Sequence, residues 1–520
     1  MRHWFTLRHT RIPGILAVLL ALLLCLSGCG AESDPPPETS SPGTEVSSAQ
    51  QTAQETAFLL PYTSNDTLNP YSAQTKNNQE ITTLLYDSLI SLDASFQPVY
   101  VIADTITLNG TSCVIELKNV QFSDGSSVTA EDVTHSIQAA KAEGNGRYAQ
   151  KLENIASQSA ASAKTVSITL KHPDPYFINL LDFPIFKMGT ENNKNADNKA
   201  LPPLGSGRYI YHAEGRQYWL EANPSWQGGA IGIQRIGLKN LPDEEAVEYS
   251  VQTDGISAYY TNLSDNEFPK MNGATVSVPL FNLVYLGVNT LSGPLTEQPL
   301  RHAVSAAVDR VKFCSDIFYS SAQPAKGPIP SSFAQVEGLQ TIDTQKNTEW
   351  VVAQLNELGY NNRDHEGYLT KDGKRLSLKL LYHSDQPARA AAASLLAADL
   401  KAVGVEVILS GASYDAYVSA VQAGGFDLYL GEMKLQNNFN LLPLLSGSAV
   451  AADSVTMTAA QNFSTGGSSL SELLSAFNEE MPIIPLCHRS GLLSFTPLLQ
   501  GSPTPGYSDI YAGLERCQLS

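Results

Sequence analysis

The stretch FSDGSSVTAEDVTHSI, residues 122–137, gathers the carboxylates Asp124, Glu131 and Asp132 with several hydroxyls and a histidine around one glycine. Acids at such spacing serve metal binding or general acid–base chemistry elsewhere. A calcium loop needs alternating oxygen ligands closed by a bidentate glutamate at its last position. Counted from Asp124, that position is His135. The metal reading fails. A local reading uses every acid instead. Asp124-Gly125 is a turn at the end of an alternating apolar strand. Thr129 is placed to cap a helix whose first turn holds Glu131 and Asp132, near the positive end of the helix dipole. Val133, Ile137 and Ala140 give that helix a buried stripe. No carboxylate is left for catalysis.

Other chemical signatures are missing as well. The nine histidines include no HExxH pair, and neither GxSxG nor SxxK occurs. The one Gly-Lys, Gly373-Lys374, is followed by Arg375 and does not make a phosphate loop. The expectation is therefore a protein that is not an enzyme, with no catalytic residue, no bound metal and no cofactor.

The elements that would position a binding site begin after an atypical N-terminus. Arg2, Arg8 and Arg11 precede the apolar run ILAVLLALLL, which is too short to span a bilayer but suits a secretion signal. The signal, 1–28, ends in Leu-Ser-Gly before Cys29, which resembles a bacterial lipobox with Cys29 as the lipidation site. Residues 29–56 are rich in Pro, Ser, Thr, Gln and Glu and cannot bury a core, so they are expected to be a disordered, lipid-anchored tether. As a flexible coil it would reach on the order of 28 Å. The expected location is exported and lipid-anchored, on the outer face of the bacterial cytoplasmic membrane.

The 520-residue length implies two or three domains. A net charge of −18 argues against nucleic acid as a partner, since phosphate would be repelled. Cys113, Cys314, Cys487 and Cys517 contain no CxxC. Cys487 and Cys517 either pair or remain free buried thiols. From 376 onward the order is strand (376–384), helix (387–403), strand (405–410), helix (414–424) and strand (426–431). That β-α-β-α-β order implies parallel strands with helical crossovers and a ligand loop after the last strand. Residues 299–310 carry an amphipathic helical pattern. Residues 112–122 and 165–173 alternate as strands of an antiparallel sheet. The class is α/β with several sheets.

Residues 122–137 also closely resemble the fingerprint of the family 5 extracellular solute-binding proteins, the receptors of peptide and nickel ABC importers: roughly F-x-D-G-x-x-[FLV]-[TS]-A-E-D-V. Further similar segments follow in the family's order: 68–99, opening LNPYSAQT and including the YDSL that ends its helix, PPLGSGRY at 202–209, LEANPSW at 220–226, VYLGVNT at 284–290, LRHAVSAAVDR at 300–310, PAKGPIP at 324–330, LNELGY at 355–360, FDLYLG at 426–431 and PIIPLC at 482–487. The resemblance covers about 57–515. It implies a two-lobed periplasmic-binding-protein-like (type II) clamp with an extra domain on the first lobe. Domain I would be 57–75, 200–283 and 483–520; domain II, 76–199; domain III, 284–482. Hinge strands would lie near 278–285 and 481–486. The implied function is a substrate-binding lipoprotein of an ABC importer, a monomer that closes on a small solute, most readily an oligopeptide, and delivers it to the membrane permease. A peptide-sensing lipoprotein, or a receptor for a non-peptide solute such as a metal chelate, are the alternatives.

The resemblance also locates ligand residues. Many peptide-binding members read Gly-Trp-x-x-Asp-Tyr after the Phe-Asp-Leu strand, the aspartate pairing with the peptide amine. Here Glu432 stands at the aromatic position and Leu435 at the aspartate. Either Glu432 takes over, being an isolated acid with no obvious structural duty, or the ligand is not an ordinary free-amine peptide. Gly431 and Met433 flank it. Tyr62, Thr63, Asp66, Tyr86, Phe281, Asn282, Tyr285, Asn437 and Asn438 are further ligand candidates by position.

Overall fold

A computed structural model describes residues 58–144, 146–262, 271–319, 321–447 and 449–520. The expected signal, Cys29 and the tether lie outside the described residues. Among the described residues no helix is long and apolar enough to cross a membrane.

β1 (Phe58–Tyr62) leads to α1 (Lys76–Leu85). Asp66 organises the approach to α1: its carboxylate accepts the Thr75 amide at 2.8 Å and the Thr75 hydroxyl at 2.6 Å. β2 (Ala103–Asn109) and β3 (Ser112–Leu117) precede α2 (Ala130–Ala142); β4 (Ile155–Ala160) and β5 (Thr165–Leu170) follow it. These strands form the expected antiparallel sheet, in the order β2-β3-β5-β4. The alternation in β3 sends Cys113, Ile115 and Leu117 inward. The stretch before α2 folds as its local chemistry requires. Gly125 adopts φ +81°, Asp124 accepts the Ser126 amide and pairs with Lys187 at 2.6 Å, and Thr129 and Asp132 close a reciprocal capping box.

β6 (Tyr209–Glu214), β7 (Gln217–Ala222) and β8 (Arg235–Asn240) join β1 in the order β1-β8-β7-β6, with β1 parallel to β8. The glycines of the Gly-Ser-Gly run seat this sheet on the end of α1. A Cβ at Gly205 would lie 2.0 Å from the Leu85 carbonyl oxygen, and one at Gly207 2.4 Å from the Leu85 carbonyl carbon. Beside them the buried Arg208 binds Asp509 at 2.8 Å and Glu515 at 2.9 Å, tying the C-terminal segment to this layer.

The largest sheet contains β9 (Ala258–Thr261), β10 (Thr275–Val288), β11 (Ser377–His383), β12 (Glu406–Ala412), β13 (Leu428–Lys434) and β14 (Ile483–Phe495), ordered β9-β14-β10-β13-β11-β12. β11 is parallel to both β12 and β13, with α5 (Pro387–Ala402) and α6 (Tyr414–Gln422) as crossovers, as expected. The helical pattern over 299–310 divides. α3 (Gln298–Ala307) stops at extended Val308, and Asp309 caps α4 (Arg310–Phe318) by accepting the Lys312 amide at 2.9 Å. The break lets fully buried Arg310 reach the Pro485 and Ser305 carbonyls.

β10 separates two cores through its own alternation. Phe281, Leu283 and Tyr285 face one; Val284, Leu286 and Val288 face the other. The β10–β14 register breaks between Pro279 and Asn282, and again at Val284/Tyr285, so the ladder is interrupted inside the expected hinge segment. The four described cysteines are buried free thiols. Cys487 belongs to the second core, in contact with Cys314, whereas Cys517 belongs to the first, so Cys487 and Cys517 do not pair.

Candidate functional site

Glu432 sits in β13 opposite Val284, flanked by Gly431 opposite Tyr285 and Met433 opposite Leu283. Its carboxylate is fully engaged. Oε1 accepts Asn282 Nδ2 at 3.0 Å and Arg489 Nη1 at 2.7 Å; Oε2 accepts Arg389 Nη2 at 2.6 Å. Burial pushes its pKa up, but Arg489, Arg389 and Asn282 outweigh that and hold it below the ordinary value. The expectation of an isolated acid without structural duty is therefore corrected. Glu432 joins β10, β13, β14 and the start of α5, and Asn282 and Arg489 are cross-strand partners at the register break.

The other predicted residues divide by location. Tyr285 shares a 3.1 Å hydroxyl contact with Tyr429 and packs over Gly431. Phe281 lies in an aromatic cluster with Phe96, Phe333 and Phe439. Asn437 donates to Asp182 at 3.1 Å and Asn438 to Asp174 at 2.7 Å, docking the loop after β13 onto residues 174–182. Away from this loop, Tyr62 contacts Tyr211, and the Thr63 amide donates to Asn78. Tyr86 donates to the Leu68 and Pro203 carbonyls from a buried position. The structure thus brings Asn282, Tyr285, Gly431, Glu432 and Met433 together and leaves Tyr62, Thr63, Asp66 and Tyr86 on the β1 side.

The docked loop aims Lys434, the last residue of β13, at a set of groups that sequence reasoning missed. Asp182, which receives Asn437, also binds Lys151 at 2.7 Å; Lys151 lies four positions beyond Arg147. On α1, Lys76 and Glu80 stand one turn apart, and Lys76 Nζ lies 4.6 Å from the Tyr260 ring centroid. Glu80 feels the charges of Arg147, Lys76 and Lys434 together, which places these four around one space. Solvent reaches Lys434 and Arg147, yet protein on several sides withholds enough water to matter. Burial, then repulsion from Arg147 and Lys151, pulls the Lys434 pKa down to about 8. This combination of access and desolvation describes the floor of a cleft. A cavity of about 350 Å3 adjoins it, lined among others by Tyr148, Asp182, Asp87, Arg208, Trp226 and Asp509. The available signal was weak: a lone lysine between Met433 and Leu435, and an arginine in a glycine-rich turn. Among the described residues no cluster of histidine, cysteine and carboxylates could hold a metal ion.

A large mixed sheet dividing two cores, with charged groups from distant segments converging beside a cavity, is the arrangement of a two-lobed binding fold. The profile of the bacterial extracellular solute-binding proteins, family 5 middle region, matches residues 97–441, and the chain belongs to that family. It is 24% identical to the oligopeptide-binding protein AppA of Bacillus subtilis over 433 residues, covering 79% of this chain and 78% of AppA. It is 26% identical to the glutathione-binding protein GsiB of Escherichia coli over 314 residues, covering 57% of this chain and 60% of GsiB. The periplasmic murein tripeptide-binding protein MppA, in its unliganded open form, superposes with a TM-score of 0.72 at 20% identity, covering 89% of this chain and 98% of MppA. NikA from Brucella suis, in complex with Fe(III)-EDTA, gives 0.68 at 18% identity, covering 89% and 100%. These likenesses establish the two-lobed, type II periplasmic-binding-protein-like α/β fold.

Proposed function

We propose that this chain is the solute-binding subunit of an ABC importer, that its solute is a short peptide, and that it works by closing two lobes on that solute without making or breaking a bond. Family membership and the relatives that bind oligopeptide, glutathione and murein tripeptide support the reading. The single observation that carries it is the convergence of Lys434, from one side of the cleft, with Arg147 and Glu80, from the other. A ligand touching both sides gains binding energy only in the closed form, which is what drives closure. Domain I is taken as 57–75, 200–283 and 483–520, domain II as 76–199 and domain III as 284–482, bending where the β10–β14 ladder is interrupted. With Glu432 committed to two arginines, Glu80 is a carboxylate available to a peptide amine, because its buried Oε2 has no hydrogen-bond partner among the described residues. The chain is further read as a monomeric lipoprotein, anchored through Cys29 and presenting its closed form to the permease.

The test is to purify the protein gently, denature it and identify the released small molecules by mass spectrometry. A mixture of short peptides is the expected result. A single non-peptide compound would overturn the peptide assignment.

A further inference from the structure

Glu432 pairs with Arg389 and Arg489, and Asp182 pairs with Lys151, so these charges are spent within the protein. Arg208 likewise is spent on Asp509 and Glu515. What remains around the cleft floor is Lys76, Arg147 and Lys434 against Glu80, none of them with a hydrogen-bonded or ion-paired side-chain partner among the described residues, with Asp87, hydrogen-bonded to Ser206, as a further acid in the adjoining cavity. Lys76 stands over the Tyr260 ring and Arg147 over the Tyr148 ring, and both feel the Glu80 charge without a salt bridge to it among the described residues. The protein as a whole carries −18, so a local excess of cations in its cleft runs against its own composition. Burial disfavours the charged forms of Lys76 and Lys434 in the free protein, and a ligand carrying the opposite charge relieves that cost.

Resting on the clamp reading above, we propose that the cleft selects an anionic solute with at least two carboxylates, such as an acidic short peptide, held through Lys434 on one lobe and Arg147 on the other. Glu80 then receives the ligand's ammonium, and the surplus cations select the acidic groups. The placement also gives the charge a mechanical role. Arg147 and Lys434 repel each other across the cleft, and an anion between them converts that repulsion into an attraction drawing the two sides together.

Isothermal titration of the full chain near pH 7 with Glu-Ala-Glu, Ala-Ala-Ala, Lys-Ala-Lys and citrate tests this. Glu-Ala-Glu is expected to bind about tenfold or more tighter than Lys-Ala-Lys. Lys434→Gln, at a solvent-reached position that is not needed for the core, should remove most of that preference, as should Arg147→Gln. Citrate binding without any peptide would keep the anion preference and overturn the peptide assignment. Peptides bound with affinities independent of charge would overturn the anion preference and leave the clamp standing. Heat from none of the four would overturn both.

Discussion

Glu432 and Lys434 stand two positions apart, with opposite charges at the end of one strand, and the structure assigns them different work. Glu432 is committed to Arg389, Arg489 and Asn282. Removing one partner of a buried ion-pair set leaves the others uncompensated. Glu432→Ala is therefore expected to lower folding stability by roughly 3 kcal/mol in a denaturant titration. Unchanged stability would return Glu432 to the pool of free ligand groups. Lys434 has the opposite signature: no hydrogen-bonded or ion-paired partner among the described residues, and a pKa drawn from 10.5 to about 8. Its charge is present at neutral pH and lost as pH rises through about 8. Affinity for Glu-Ala-Glu should accordingly fall between pH 7 and pH 9, and the Lys434→Gln variant should fall less steeply, keeping only the loss from the peptide's own ammonium, which titrates at about 8. The same shift makes folding more favourable as pH rises from about 8 toward 10.5, because over that window the unfolded chain still binds the proton that the native state has released.

At the scale of elements, local signals and close contacts divide the labour. The Thr129–Asp132 capping box is self-contained, and Thr129→Ala should cost about 1 kcal/mol, the usual value of a helix cap. Gly205 shows the other kind of constraint. Its side-chain position is already filled by the Leu85 carbonyl, so Gly205→Ala must displace backbone and should lower folding stability by at least about 2 kcal/mol in a denaturant titration. A substitution tolerated there would mean that the β6 layer does not rest on α1 as described. The split between α3 and α4 belongs here too. The helical pattern read over 299–310 spans the break, but Asp309 offers the backbone a cap, and Arg310 gains buried carbonyl partners by turning away. Periodicity alone does not register such competition.

For the whole molecule, two buried groups set opposing responses to acid. His488 lies in β14 with Nε2 donating to the Gly327 carbonyl, and burial lowers its pKa to about 4. The unfolded chain takes up the proton first, so this group removes stability as pH falls from 6.5 toward 4, by about 3 kcal/mol. Asp87 is pushed by burial up to about 6, against the pull of Arg208. The native state takes up that proton first, so Asp87 restores stability as pH falls from about 6 toward 3.8. Near-cancellation gives a shallow profile between pH 4 and 6. Asp87→Asn should be more stable than the parent near pH 7 and should show a steeper loss in acid, measured by urea unfolding across that range. Closure is the other whole-molecule property: small-angle scattering should show contraction on adding Glu-Ala-Glu, and unchanged dimensions would count against the clamp.

What the chain's residues determined by themselves was local: the Asp124-Gly125 turn, the cap at Thr129, the alternation of β3 and the parallel β11-α5-β12-α6-β13 unit. Each rests on contacts within a few positions or on one repeating period. The family resemblance was legible for a related reason, being carried by short segments read in order. The ligand chemistry was not. Glu432 finds its partners 43, 57 and 150 positions away, so its freedom could not be judged until those segments were folded against it. Cys487 likewise meets Cys314 instead of Cys517 because packing on β14, not nearness in sequence, chooses its neighbour. Only the tertiary structure decided which charges were spent and which were left facing the cleft, because pairing acts over a few ångströms while the residues that pair lie scattered along the chain.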